Sequence, residues 1–126
     1  MKFTKQWEVD CLEDKLIKVL ESLSYPVFRQ GSLSEDEQYP ETFFTFWNNE
    51  ETEHSAYDNQ TQSVLYDYDV NVYSNNPELT YSLLKDARNL LKSNGFIIAS
   101  RGYDIMSDEP THIGRGMMVL YTNIEN

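Results

Sequence analysis

Val64 to Tyr73, VLYDYDVNVY, alternate with a period of two almost without error. Val64, Tyr66, Tyr68, Val70 and Val72 fall on one side of a strand, and Leu65, Asp67, Asp69, Asn71 and Tyr73 on the other. This segment sets the frame for everything around it. It also poses a question, because Asp67 and Asp69 share a face. They are either a catalytic or metal-binding pair, or one wall of something that must be acidic.

A partner strand lies upstream. Thr42 to Trp47, TFFTFW, carries large apolar groups on both faces, so it is either sandwiched within the domain or turns one face to a partner chain. The polar stretch from Asn48 to Gln62 joins the two strands. The pair reads as an extended antiparallel hairpin with a polar tip. That connection exceeds the usual span of about two to five residues, and long connections are often functional. Nine Tyr, six Phe and two Trp are concentrated where strands are expected, and these two runs hold much of that supply, which favours aromatic cross-strand pairs as a source of stability.

Two helices flank the hairpin in sequence. Val9, Leu12, Leu16, Val19, Leu20 and Leu23 keep helical spacing, with Glu8, Asp10, Asp14, Lys18 and Glu21 outward. Pro26 is expected to stop this helix, and Val27 to Arg29 to form a short strand. Residues 31–41 (GSLSEDEQYPE) read as an acidic surface loop. Asn76 is an N-cap and Pro77 suits the first helical position. Leu79, Leu83, Leu84, Ala87, Leu90 and Leu91 then form the buried stripe, and Asn94-Gly95 the left-handed end. Phe96 to Ser100 and Met117 to Tyr121 read as the last two strands, separated by a long excursion from Arg101 to Gly116. The expected fold is one α+β domain spanning residues 1–126, with a mainly antiparallel sheet of about four to five strands, a long hairpin and two helices packed on one side.

Chemistry is hard to find in this chain. Asp67 and Asp69 should have Cα atoms roughly 6.6 Å apart, a spacing open to hydrolysis or to a hard cation. No third acidic or histidine partner has matching strand spacing, which favours a merely wet face. His54 and His112 are the only histidines, and Cys11 the only cysteine, so there is no internal disulfide and no multi-thiolate metal site. A Cys11–His112 dyad would need a helix and a distant loop to meet. Gly114-Arg115-Gly116 is too short for a nucleotide motif and reads as a bulge or turn before the last strand. Met117-Met118 suits either the core or an adaptable contact. No enzyme, cofactor or metal is expected. The formal charge of −11 lacks the basic footprint of a nucleic-acid reader. No run approaches a membrane span, and MKFTKQWEVD lacks the apolar stretch of a signal peptide, which points to a chain that folds in a cytoplasm.

The runs FFTFWNNEETEHSAYDNQ, YDYDVNVYSNNPELTYSLLKDARNLLKSNGF and SDEPTHIGRGMMVLY resemble small morphogenesis proteins of tailed phages and prophages of Gram-positive bacteria. The order of elements from about Pro26 to Tyr121 is similar to the tail-terminator, or head–tail joining, family. The resemblance implies a homo-oligomeric ring, usually a hexamer, seated on the tail tube. Its partners would be the major tail protein and the capsid connector, with DNA only as passing cargo and no membrane. Such a protein assembles in the bacterial host cytoplasm and ends in the virion neck. Asp67, Asp69 and Asn71 would then face the channel, where negative charge keeps DNA from sticking. Phe44, Phe46, Glu53, His54, Tyr57, Asp108, His112 and Arg115 would contact neighbouring subunits or the tube. Three other readings stand beside this one: another neck or tail-assembly component such as a head-completion protein or chaperone, an acidic mimic of nucleic acid that inhibits a host enzyme, and a small hydrolase using Asp67 and Asp69.

Overall fold

A computed structural model describes residues 5–30, 39–55, 62–107 and 109–125. The elements run α1 (Lys5–Glu21), β1 (Val27–Arg29), β2 (Thr42–Ser55), β3 (Gln62–Ser74), α2 (Pro77–Ser93), β4 (Ile97–Ile98), β5 (Tyr103–Ile105) and β6 (Ile113–Glu125). The strands form one six-stranded sheet in the order β1-β2-β3-β6-β4, with β5 beside the start of β6. Only the β1–β2 pair is parallel. The fold is thus α+β and mainly antiparallel, as the alternation implied, with more strands than the four to five expected.

The inner set of β3 explains the packing. Tyr66, Tyr68, Val70 and Val72 are buried together with Phe44 and Phe46 of β2 and Met117 and Val119 of β6. Against them lie Leu12, Leu16, Val19 and Leu20 of α1 and Leu83, Leu84, Ala87 and Leu91 of α2, so both helices cover the same sheet face. Each of these large side chains contributes about 1.5–3 kcal/mol by leaving water. Asn76 caps α2, its side-chain oxygen accepting the Glu78 N–H at 3.1 Å, with Pro77 next in line. Gly95, at φ +93°, takes the left-handed turn that ends the helix. Helix α1 stops at Glu21, ahead of Pro26, where Ser24 at φ +75° turns the chain.

Three expectations give way. The polar stretch after Trp47 is not a loop: β2 runs to Ser55 and β3 begins at Gln62, so only residues 56–61 connect them. A bulge between Asn48 and Glu50 shifts the register partway along. The last strand is thirteen residues long, and Gly114 and Gly116 sit inside it with no register break against β3. The glycines make room, since a Cβ at Gly114 would fall 2.7 Å from the Tyr73 ring and one at Gly116 would meet the Asn71 amide. Finally, the excursion after Arg101 contains β5. The acidic stretch at 31–38 lies outside the described residues.

Tyr68 is fully buried against Phe46, and its hydroxyl meets no hydrogen-bond partner among the described residues. Burial chiefly, then the Glu13 and Glu51 carboxylates, push its phenol far above the usual range. A buried hydroxyl without a partner carries its desolvation cost uncompensated. Tyr68→Phe should therefore leave stability unchanged or raise it by up to about 1 kcal/mol in urea unfolding. A loss larger than that would mean the hydroxyl has a native partner.

Candidate interaction surface

The sheet face turned away from the helices carries the other half of the alternation. Directly opposed residues on antiparallel strands share a face, so the register defines its rows. Phe43 lies beside Tyr73 and Gly114, Thr45 beside Asn71 and Gly116, and Trp47 beside Asp69 and Met118. Beyond the bulge, Glu50 lies beside Asp67 and Leu120, with Ile97 of β4 next in the row. Thr52, Leu65 and Thr122 follow.

One end of this face is covered. Phe43 stacks on Tyr73 at 5.3 Å, and Phe28, Tyr39 and His112 surround it at 5.5–5.9 Å. His112 locks the cover in place: its Nε2 lies 2.8 Å from the Pro40 carbonyl, to which it must donate, and Nδ1 lies 3.0 Å from the Thr111 hydroxyl. Tyr103 of β5 lies over Gly116, with its hydroxyl 3.5 Å from Asp69 Oδ1. Partial burial, then the Asp69 and Asp67 carboxylates, raise the Tyr103 phenol above its ordinary range.

The other end is open. Trp47 is 46% and Ile97 52% exposed, with Met118, Leu120 and Leu65 partly so. Asp67 and Asp69 stand among these groups. One Asp67 carboxylate oxygen is buried without a hydrogen-bond partner among the described residues. This is a mixed apolar and acidic patch on a sheet face that neither described helix covers.

Several residues expected to make contacts lie elsewhere. Phe44 and Phe46 are 0% and 1% exposed on the helix side of β2, so they belong to the core and cannot meet a neighbour. The two-faced strand is real, but its outward members are Phe43 and Trp47. Asn71 is 6% exposed beneath Tyr103 and Gly116, with its amide 3.4 Å from Thr45 Oγ1 and from Gln30 Oε1. It therefore cannot line a channel. Arg115 pairs with Asp104 at 2.7 Å and stacks over the Tyr81 ring at 4.2 Å, tying β5 and α2 to β6. His112 holds the aromatic cover. Glu53 and His54 belong to β2, opposite Val64 and Ser63, while Tyr57 and Asp108 lie outside the described residues.

Sequence reasoning missed Trp47, Met118, Leu120 and Ile97 as one patch. For Trp47 the signal was present in its alternation with Phe43 and Thr45. Ile97 depended on the pairing of β4, which a two-residue strand does not announce. Among the described residues no three His, Cys, Asp or Glu side chains are grouped to hold a metal ion, and no helix is long and apolar enough to cross a membrane. No protein-family model matches this chain, and no curated protein matches it.

Proposed function

We propose that this chain is a structural subunit of tailed-phage or prophage morphogenesis, a ring-forming tail terminator or head–tail joining protein that caps the tail tube and meets the capsid connector. Beside the resemblance in sequence, one observation supports this reading: the helix-free sheet face keeps Trp47 and Ile97 exposed next to Asp67 and Asp69. An antiparallel sheet that merely faces water alternates cleanly between apolar inside and polar outside. Large apolar groups left outward beside carboxylates are the composition of a contact surface. In the ring, Trp47, Met118 and Leu120 meet the neighbouring subunit or the tube. Asp67 and Asp69 stand in the same rows, Asp69 between Trp47 and Met118, and repel passing phosphates where this surface reaches the inner rim of the ring. Asn71 has no part in it.

Native mass spectrometry over a concentration series, with negative-stain images of the same samples, tests the reading. Closed rings are expected, and Trp47→Ser should weaken them at a cost of about 1–2 kcal/mol of folding stability, less than for a fully buried aromatic because nearly half of the side chain is already exposed. A chain that stays monomeric at every concentration and does not bind purified tail tubes would sink it.

A further inference from the structure

The chain has ten Lys and Arg against 21 Asp and Glu, yet three of those cations line one groove. Between the second half of α2 and the segment after β4 lies an open groove of about 330 Å³, lined by Arg88, Asn89, Lys92, Ile98, Ala99, Ser100 and Arg101. Among the described residues no carboxylate lines it. Arg88 Nη1 donates to the Arg101 carbonyl at 2.9 Å, which holds the guanidinium at the groove and uses one of its five donors. Lys85 and Arg88 are three residues apart on α2, and Arg88 and Lys92 four, so the basic stripe continues along the helix. The other cations with described partners are engaged elsewhere: Arg29 with Glu13, Arg115 with Asp104, and Lys15 over Phe96 and Tyr121.

The complementary charge lies across the sheet. Beyond the bulge, β2 carries Glu50, Glu51 and Glu53 in the run NNEETEHS. Glu50 and Glu51 are exposed, and among the described residues they accept from neighbours on their own strand, Thr52 and Asn48. Strand β1 pairs with β2 only from Phe44 to Phe46, so among the described residues no strand covers the outer edge of this acidic arm. In the order β1-β2-β3-β6-β4 the arm and the groove lie at opposite sides of the sheet. A chain with an acidic arm on one side and a basic groove on the other is complementary to a copy of itself, head to tail, and such contacts close into rings when the rotation allows.

We propose that the Arg88–Lys92–Arg101 groove receives the Glu50–Glu51 arm of a second copy of this chain. The inference rests on the self-association reading above and names its contact. The occupant is an acidic protein segment because the chain itself supplies one in Glu50 and Glu51, exposed and complementary in charge to the groove, and a phosphate backbone is the competing outcome of the test.

The test uses two charge-reversed full-length chains. One carries Arg88→Glu, Lys92→Glu and Arg101→Glu; the other carries Glu50→Lys and Glu51→Lys. Circular dichroism and urea midpoints check that both fold. Each variant alone should need at least about tenfold more protein than the parent to assemble, and parental rings should weaken as salt rises. Mixed one to one, the variants should regain rings with the two chains alternating, since every junction then joins opposite charges. If the parent forms rings and either variant assembles like it, the groove–arm contact is wrong while the self-association reading stands. Failure of the mixture to recover has the same meaning. A parent that never associates, either alone or on purified tail tubes, overturns both. Retention of a DNA duplex by the parent, lost in the groove variant, would reassign the groove to phosphates.

Discussion

Phe44→Ala should cost about 3–5 kcal/mol of folding stability, the range for truncating a buried phenylalanine. Phe44 is fully buried, opposite Val72 of β3 and paired with Val27 of β1. Its ring fills the inner face where β1 joins the sheet. Alanine removes the transfer free energy of the ring and leaves a cavity that neighbours fixed by strand pairing on both sides cannot close. Total stabilities of small domains are about 5–15 kcal/mol, so the variant should unfold at much lower urea than the parent. The comparison with Trp47→Ser decides what the aromatic strand does. An unchanged midpoint with lost assembly in Phe44→Ala would put Phe44 at an interface and contradict its burial.

Gly102→Ala should be the second most damaging of the substitutions considered, through backbone and packing together. Gly102 sits at φ +140°, in a region that side chains with a Cβ rarely adopt. A Cβ there would come within 2.8 Å of Leu84 Cδ2 and 2.9 Å of an Arg115 guanidinium nitrogen. The strain and the overpacking are each worth about 1–3 kcal/mol. Because Gly102 leads directly into β5, the damage should concentrate there, releasing Tyr103 from Gly116 and Asp104 from Arg115. Hydrogen exchange should show faster opening at Tyr103–Ile105 than at Val70 or Val72 of β3. Uniform loss of protection would instead make this turn part of the global core.

Much of the fold was legible because local and tertiary signals agreed. The alternation of β3 gave the buried side correctly from Tyr66 to Val72, and Asn76-Pro77 and Asn94-Gly95 bracketed α2. In β2 the signals conflicted. Apolar groups on both faces left open which of Phe43 and Phe44 was inside, and NNEETEHS has no strand pattern of its own, so pairing with β3 imposes its extended state. The fate of Asn71 was unreadable for a different reason. Strand parity gives its face, but its burial comes from Tyr103 and Gln30, which arrive from remote segments. Arg101 joins the α2 stripe only through the turn after β4, so the groove was half visible as helical spacing and half invisible.

The position of β3 between β2 and β6 also orders the folding reaction in time. β2 and β3 are separated by residues 56–61 alone, and such a hairpin forms in about 1–10 μs. Strand β6 reaches β3 only after α2, β4 and β5 intervene, and closing that longer loop slows the non-local step. Until it closes, one edge of VLYDYDVNVY stays unsatisfied, with aromatic and β-branched side chains of the kind that stack into fibrils. Asp67 and Asp69 lie in the middle of that run. In a parallel in-register stack of such segments, each carboxylate would sit about 4.8 Å from its own copy, and the repulsion opposes aggregation during the wait. Neutralising both should lower the yield of refolding at high protein concentration even where the finished fold is no less stable.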